Sequence, residues 1–239
     1  MTKPTNLIAY VFDGQPHLLS EVLRQWMEVS PRFTVFVETY RDKIRKKIRV
    51  THEPESLLDI RGELEVAYCL LNDRRLAVEY EPYASKKRRG PDFAVTYRTN
   101  LVFNIEVARI RVENSRVKGI DIARKEERLL RILLDKLGQI QPGMANLLVI
   151  HTQEELAQAI DLGKLMQGLK TRADGKDPSF YFASGYTSPA AFYKDYLHLS
   201  GILLWGAEAQ LWVNKQARPG LAKKILHLVN SLPSSAPKD

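Results

Sequence analysis

Cysteine is almost missing from this sequence. The 239-residue chain has one, Cys69, so no disulfide can form within it. A chain that does without disulfides suits a reducing compartment, and a cytoplasmic protein is expected. Cys69 lies in the apolar run "VAYCLL" and reads as a small core residue rather than a nucleophile. Long apolar runs are missing too. The most apolar window, "LHLSGILLWGA", is too short to cross a bilayer, and "MTKPTNLIAYVFDG" lacks the apolar core of a signal peptide. No membrane association is expected. The five histidines (His17, His52, His151, His198, His227) fall at no metal-ligand spacing, and zinc would need a second cysteine. A Gly-rich phosphate loop is absent, "GLAKK" not being one, and no G-x-S-x-G elbow occurs.

What the chain has in excess is positive charge. Lys and Arg number 36 against 28 Asp and Glu, a net charge of +8. That balance suits a polyanionic partner, nucleic acid first. Apolar content of 44% and charged content of 27% are ordinary for a globular protein. The length fits one large domain or two small ones.

Periodicity then orders the elements. The first fifty residues read as helical, with Ser30-Pro31 as an N-cap followed by a first-turn proline. Beyond it Phe33, Phe36, Val37, Tyr40, Ile44 and Ile48 recur at helical spacing. The opposite face carries Arg41, Lys43, Arg45, Lys46, Lys47 and Arg49, read as a solvated basic face or one that tracks phosphates. "LLDIRGELEVAYCLLND" is a second helix. Three strand-like runs follow, "RLAVEYEPY", "PDFAVTY" and "LVFNIEVARI", and then an amphipathic helix, "DIARKEERLLRILLDKLGQI". "ANLLVIH" is wholly apolar, as expected of a strand buried on both faces. "KTRADGKDPSFYFASGYTSP" is rich in turn residues and is expected to be an irregular insertion whose aromatics cover the core. "LSGILLW" and "AQLWVN" suggest a closing hairpin, and Pro219 is expected to open a last helix. The strand-helix-strand unit from Leu101 to Ile150 implies a parallel crossover. The class is therefore α/β, with helices on both faces of a sheet and a helical extension before it.

The second and third strands carry two acids, Asp92 and Glu106. Alternation puts Phe93, Val95 and Tyr97 on one face with Leu101, Phe103, Ile105 and Val107. The other face then holds Asp92, Ala94 and Thr96 with Val102, Asn104, Glu106 and Ala108. A three-residue loop, Arg98-Thr99-Asn100, agrees, because it pairs Tyr97 with Leu101 and Asp92 with Glu106. Asn100 is the residue expected to turn left-handed in it. A two-residue turn would send the carboxylates to opposite faces. Opposed carboxylates need a shared proton, a divalent cation or a basic partner, and arginines are abundant here. A hard cation such as Mg²⁺ suits two carboxylates and a backbone carbonyl, for which Val107 is the candidate.

These residues resemble the restriction-endonuclease-like superfamily, the PD-(D/E)xK nucleases. The resemblance rests on "GPDFAV", on "FNIEVARI" and on a preceding helix containing "GELEVAY", and runs roughly from Leu57 to His151. It implies a restriction-endonuclease-like mixed β-sheet flanked by helices over 56–232. The helical extension would be 1–55, and "PSSAPKD" (233–239) a frayed tail. It also implies Mg²⁺ or Mn²⁺ and hydrolysis of nucleic-acid phosphodiesters, DNA ahead of RNA, with a homodimer left open. Asp92 matches the metal-binding aspartate and Glu106 the second carboxylate. Of the helix acids, Glu63 borders the apolar face and is preferred over Glu65 for the third.

One position departs from the pattern. The superfamily's lysine stands two residues after the glutamate, where this chain has Ala108. Lys125, on the following helix, is the leading substitute and Lys118 a weaker one. The basic run Lys86, Lys87, Arg88 and Arg89 precedes Asp92, and Arg109 and Arg111 end the Glu106 strand. These six are the expected nucleic-acid contacts, with pairing of Arg109 and Arg111 to Glu79 and Glu81 as the alternative. The resemblance thus implies a metal-dependent nuclease weakened by the missing lysine. The alternative is an inactive nuclease-fold protein that binds nucleic acid or serves as an assembly partner.

Overall fold

Ser30 and Pro31 start a helix as their pairing predicts. The Ser30 hydroxyl accepts from the Phe33 backbone N–H at 3.3 Å, and Pro31 fills the first turn, where no donor is needed. In the computed structural model, residues 3–83, 90–111, 122–152, 154–206 and 209–232 are described. The N-terminal part is helical: α1 (Lys3–Val11), α2 (Ser20–Val29), α3 (Pro31–Val50) and α4 (Pro54–Leu71). Then come β1 (Leu76–Tyr80), β2 (Phe93–Tyr97), β3 (Leu101–Arg109), α5 (Ile122–Leu137) and β4 (Ala145–His151). Four helices follow, α6 (Glu154–Ala159), α7 (Leu162–Asp174), α8 (Pro178–Ser184) and α9 (Pro189–Tyr196). The last elements are β5 (Leu199–Trp205), β6 (Gln210–Val213) and α10 (Lys223–Asn230). No helix among the described residues is long and apolar enough to cross a membrane.

The six strands form one mixed sheet in sequence order. β1, β2 and β3 run antiparallel, β3, β4 and β5 are parallel, and β6 closes antiparallel on β5. Each face of the sheet has its own core. On one face Leu23, Trp26, Phe33 and Phe36 of the N-terminal helices share a buried cluster with Phe93, Val95, Phe103 and Ile105. On the other, Leu129 and Leu133 of α5 pack with Leu148, Ile150, Met166 and Phe192. The helices of residues 1–55 therefore rest on the same core as the sheet. Replacing Ser30 by alanine strips one capping acceptor and is expected to cost about 1 kcal/mol. In a chain of this size that lowers the melting temperature by about 2–4 °C, readable by calorimetry.

Three local expectations need correction. The turn-rich stretch is helical. Asp177 caps α8 by accepting from Ser179 N, Ser188 caps α9 by accepting from Ala191 N, and each is followed by a first-turn proline. Gly185 ends α8 in the left-handed region at φ 72°. The residues that looked like turns are thus caps, and Phe180, Tyr181 and Tyr186 do cover the core. The last helix starts at Lys223, and Pro219 lies before it in a cis peptide with Arg218. In the hairpin the left-handed residue is Arg98 (φ 56°), not Asn100. A third strand decides this, since Arg98 N donates to the Arg75 carbonyl at 2.6 Å beside β1.

Candidate functional site

The β2–β3 register is the one the three-residue loop requires. Tyr97 pairs with Leu101 and Phe93 with Ile105, so Asp92 stands opposite Glu106, one step past the last pair. Phe93, Val95, Phe103 and Ile105 are fully buried on one face, and Val102 is exposed on the other. Neither carboxylate is held by an arginine among the described residues. Asp92 Oδ2 accepts from the Val107 backbone N–H at 2.8 Å. Glu106 Oε1 accepts from Lys136 Nζ at 2.5 Å. Lys136 belongs to the last turn of α5, on the Glu106 face of the sheet.

Glu63 approaches from α4. Its Oε2 accepts from Lys47 Nζ at 2.6 Å and from the Tyr80 hydroxyl at 2.8 Å. Lys47 also lies 3.4 Å from Glu81 Oε1, and its neighbour Lys43 donates to the Tyr80 and Glu81 carbonyls. Glu63, Asp92 and Lys136 line a cleft of about 400 Å³, together with Val107, Ala108, Arg109, Arg111 and His151.

Burial governs the charges here. It lifts the Asp92 carboxyl to about 7, with Glu106 adding to the rise. Glu63 also rises to about 7, chiefly by burial and then by Asp92, against the pull of Lys47. Glu106 is raised for the same first reason, opposed by Lys136. Burial works to lower both lysines, yet the acids around them win and hold both above the ordinary lysine value.

The donor set fits a hard cation. Carboxylate and carbonyl oxygens are its preferred ligands, and Asp92 and Glu106 offer two carboxylates across neighbouring strands. A strand residue projects its N–H and C=O to the same side. Val107 N points at Asp92, so its carbonyl faces the same gap, where β2 has ended. Among the described residues no three His, Cys, Asp or Glu side chains gather into a metal-holding group. The third acid, Glu63, is drawn toward α3.

The other sequence candidates are spread around this centre. Arg109 binds Asp59 Oδ1 at 3.0 Å and Glu55 Oε2 at 2.6 Å, and Arg111 binds Asp59 Oδ2 at 2.6 Å. Their partners thus lie on α4, not on Glu79 and Glu81. Lys86, Lys87, Arg88, Arg89 and Lys118 fall outside the described residues, as does the Lys125 side chain. The Lys125 backbone lies three helical turns, about 16 Å, before Lys136 along α5. The supposed basic face of α3 divides. Lys43 and Lys47 turn inward, while Arg45 and Arg49 pair with Asp13.

Lys136, Lys47 and Tyr80 were missed by motif reading. A signal was present for both lysines. Lys136 stands three residues after Leu133 and seven after Leu129, on the apolar stripe of α5. Lys47 stands three after Ile44 and seven after Tyr40. A lysine on an apolar stripe is an inward-facing lysine. Set beside the models of known families, the curated proteins and the solved structures, the chain matches none of them.

Proposed function

We propose that this chain is a divalent-metal-dependent nuclease of restriction-endonuclease-like fold that hydrolyses nucleic-acid phosphodiesters, DNA ahead of RNA. One observation carries the reading: Asp92 and Glu106 stand half-buried and opposed just before β2, with Lys136 on Glu106, beside a cleft lined by Asp92, Glu63 and Lys136. Asp92, Glu106 and the Val107 carbonyl are the residues suited to hold Mg²⁺ or Mn²⁺. Such an ion, when bound, supplies an acidified water and neutralises charge on a phosphate.

The chain's own groups account for the rest. The Val107 N–H holds one oxygen of the Asp92 carboxylate, at 2.8 Å. Lys136 puts a positive charge where Ala108 has none, and that charge is available to a phosphate oxygen as negative charge builds on it. The cleft also has Arg109 and Arg111 on its wall, fastened by Glu55 and Asp59. They shape that wall and meet phosphates with whatever donor capacity Asp59 and Glu55 leave.

A second reading, a nuclease-fold protein that binds nucleic acid without cutting it, is favoured by Ala108 and by the ammonium already seated on each of Glu63 and Glu106. Plasmid nicking with Mn²⁺ separates the two. The nuclease reading expects the wild-type chain to convert supercoiled DNA to nicked circles and Glu106→Gln to leave it intact. Salt-dependent DNA binding with no nicking by either protein hands the case to the second reading.

A further inference from the structure

We infer that Lys47 withholds Glu63 from the metal, so that the centre takes one divalent ion rather than two. This rests on the metal site proposed above. It concerns what α3, a helix outside the span that resembles the nucleases, does to that site.

Begin with the third acid, Glu63. Its Oε2 already accepts from two donors, Lys47 Nζ at 2.6 Å and the Tyr80 hydroxyl at 2.8 Å, and these two bonds set where the whole carboxylate sits. Both donors are anchored. Tyr80 is fully buried at the end of β1. Lys47 is held on its other side by Glu81, and one turn earlier Lys43 fastens the same helix to the Tyr80 and Glu81 carbonyls. Pulling Glu63 toward Asp92 would leave the Lys47 ammonium, 28% exposed at its side chain, with two longer contacts, the Tyr80 hydroxyl at 3.3 Å and Glu81 Oε1 at 3.4 Å. Breaking a buried ion pair in this way is costly.

Position leads the same way. Lys47 reaches Glu63 from the α3 side, and Lys136 reaches Glu106 from the α5 side, so each of these acids already faces a cation of its own. Lys47 therefore occupies the side of Glu63 from which a further ion would have to be met. It is a positioning residue: it fixes Glu63 and leaves Asp92 and Glu106 as the acids for a single ion.

The test counts ions without depending on turnover. Mn²⁺ is titrated into the intact chain, with free Mn²⁺ read by electron paramagnetic resonance and heats by calorimetry. Wild type is expected to take up one Mn²⁺ per chain at the site, and Asp92→Asn none. Lys47→Met should release Glu63 and raise the count to two. Adding Glu63→Gln to Lys47→Met should return it to one, and Lys47→Arg should stay at one. Near-ultraviolet circular dichroism checks that each variant keeps its packing. If Lys47→Met does not fold, Lys47→Ala, which leaves room for water beside Glu63, takes its place in the count. Two ions on wild type, or one on a folded Lys47→Met, overturn the inference while leaving the nuclease proposal standing. One ion on wild type and two on Lys47→Met, with no DNA nicked, uphold it and remove the nuclease proposal. No Mn²⁺ on wild type removes both.

Discussion

Lys136→Met is expected to slow DNA cleavage by about a hundredfold or more while Mn²⁺ binding persists. Loss of one positioned charge-stabilising group typically costs that much in rate. Lys136 is the ammonium the described residues place against Glu106, at 2.5 Å, with its side chain 23% exposed toward the cleft. Methionine keeps the length and apolar stem of lysine and removes the charge. Single-turnover cleavage at saturating Mn²⁺ measures the chemical step, and Mn²⁺ titration of the same variant measures the site. A purely structural role for Lys136 would lower both together. A catalytic role lowers the rate alone and is partly restored by Lys136→Arg. The loss should follow Lys136 and not Lys125, whose backbone lies about 16 Å away along α5. Equal losses at the two positions, or none at either, would remove Lys136 from the mechanism.

Much of the sheet could be read in the chain beforehand. Phe93, Val95 and Tyr97 alternate with Ala94 and Thr96, and Phe103, Ile105 and Val107 alternate with Asn104 and Glu106, so the face of Asp92 and Glu106 followed from period two alone. The loop length then set the register, and the two rules agree with the pairing of Tyr97 with Leu101. Where reading by segments stopped was at contacts between elements far apart in sequence. Hairpin rules consider two strands, whereas the left-handed residue here answers to Arg75, beside a third strand. Motif rules look two residues past the glutamate, whereas Lys136 arrives 30 positions later. Which turn of α5 lies over Glu106 depends on the path between β3 and α5, and no spacing in the sequence encodes that path. Asp177-Pro178 and Ser188-Pro189 were legible in principle. Each is a cap followed by a first-turn proline, and turns and helix starts draw on the same residues.

Without metal, the protein is expected to lose stability as pH rises from about 4 to about 7, and Asp92→Asn is expected to lose less. The sign follows from proton binding. Asp92 rises from 3.8 to about 7 in the folded chain, and Glu63 from 4.5 to about 7. Between those values the folded state holds protons that the unfolded state has released, so raising the pH favours unfolding until both states are ionised. Lys47 and Lys136, the cations facing these acids, stay protonated in both states across this range and add no slope. His151 and His17 act in the opposite sense, because burial lowers both and favours the neutral folded form as pH rises. Comparing wild type with Asp92→Asn cancels the histidines. Asparagine keeps an oxygen to accept from Val107 N and has no proton to lose. A shift of this size corresponds to about 4 kcal/mol at most, and coupling to Glu106 spreads it, so a relative gain on the order of 2 kcal/mol for Asp92→Asn at pH 8 over pH 5 is expected. Urea melts of the two proteins at pH 5, 6, 7 and 8 measure it. Mg²⁺ should reverse the ranking above pH 7, where the ionised Asp92 binds it and the amide does not. Parallel stability curves for the two proteins, with and without Mg²⁺, would mean that Asp92 is neither strained by burial nor a ligand, and the proposed centre would have lost its first residue.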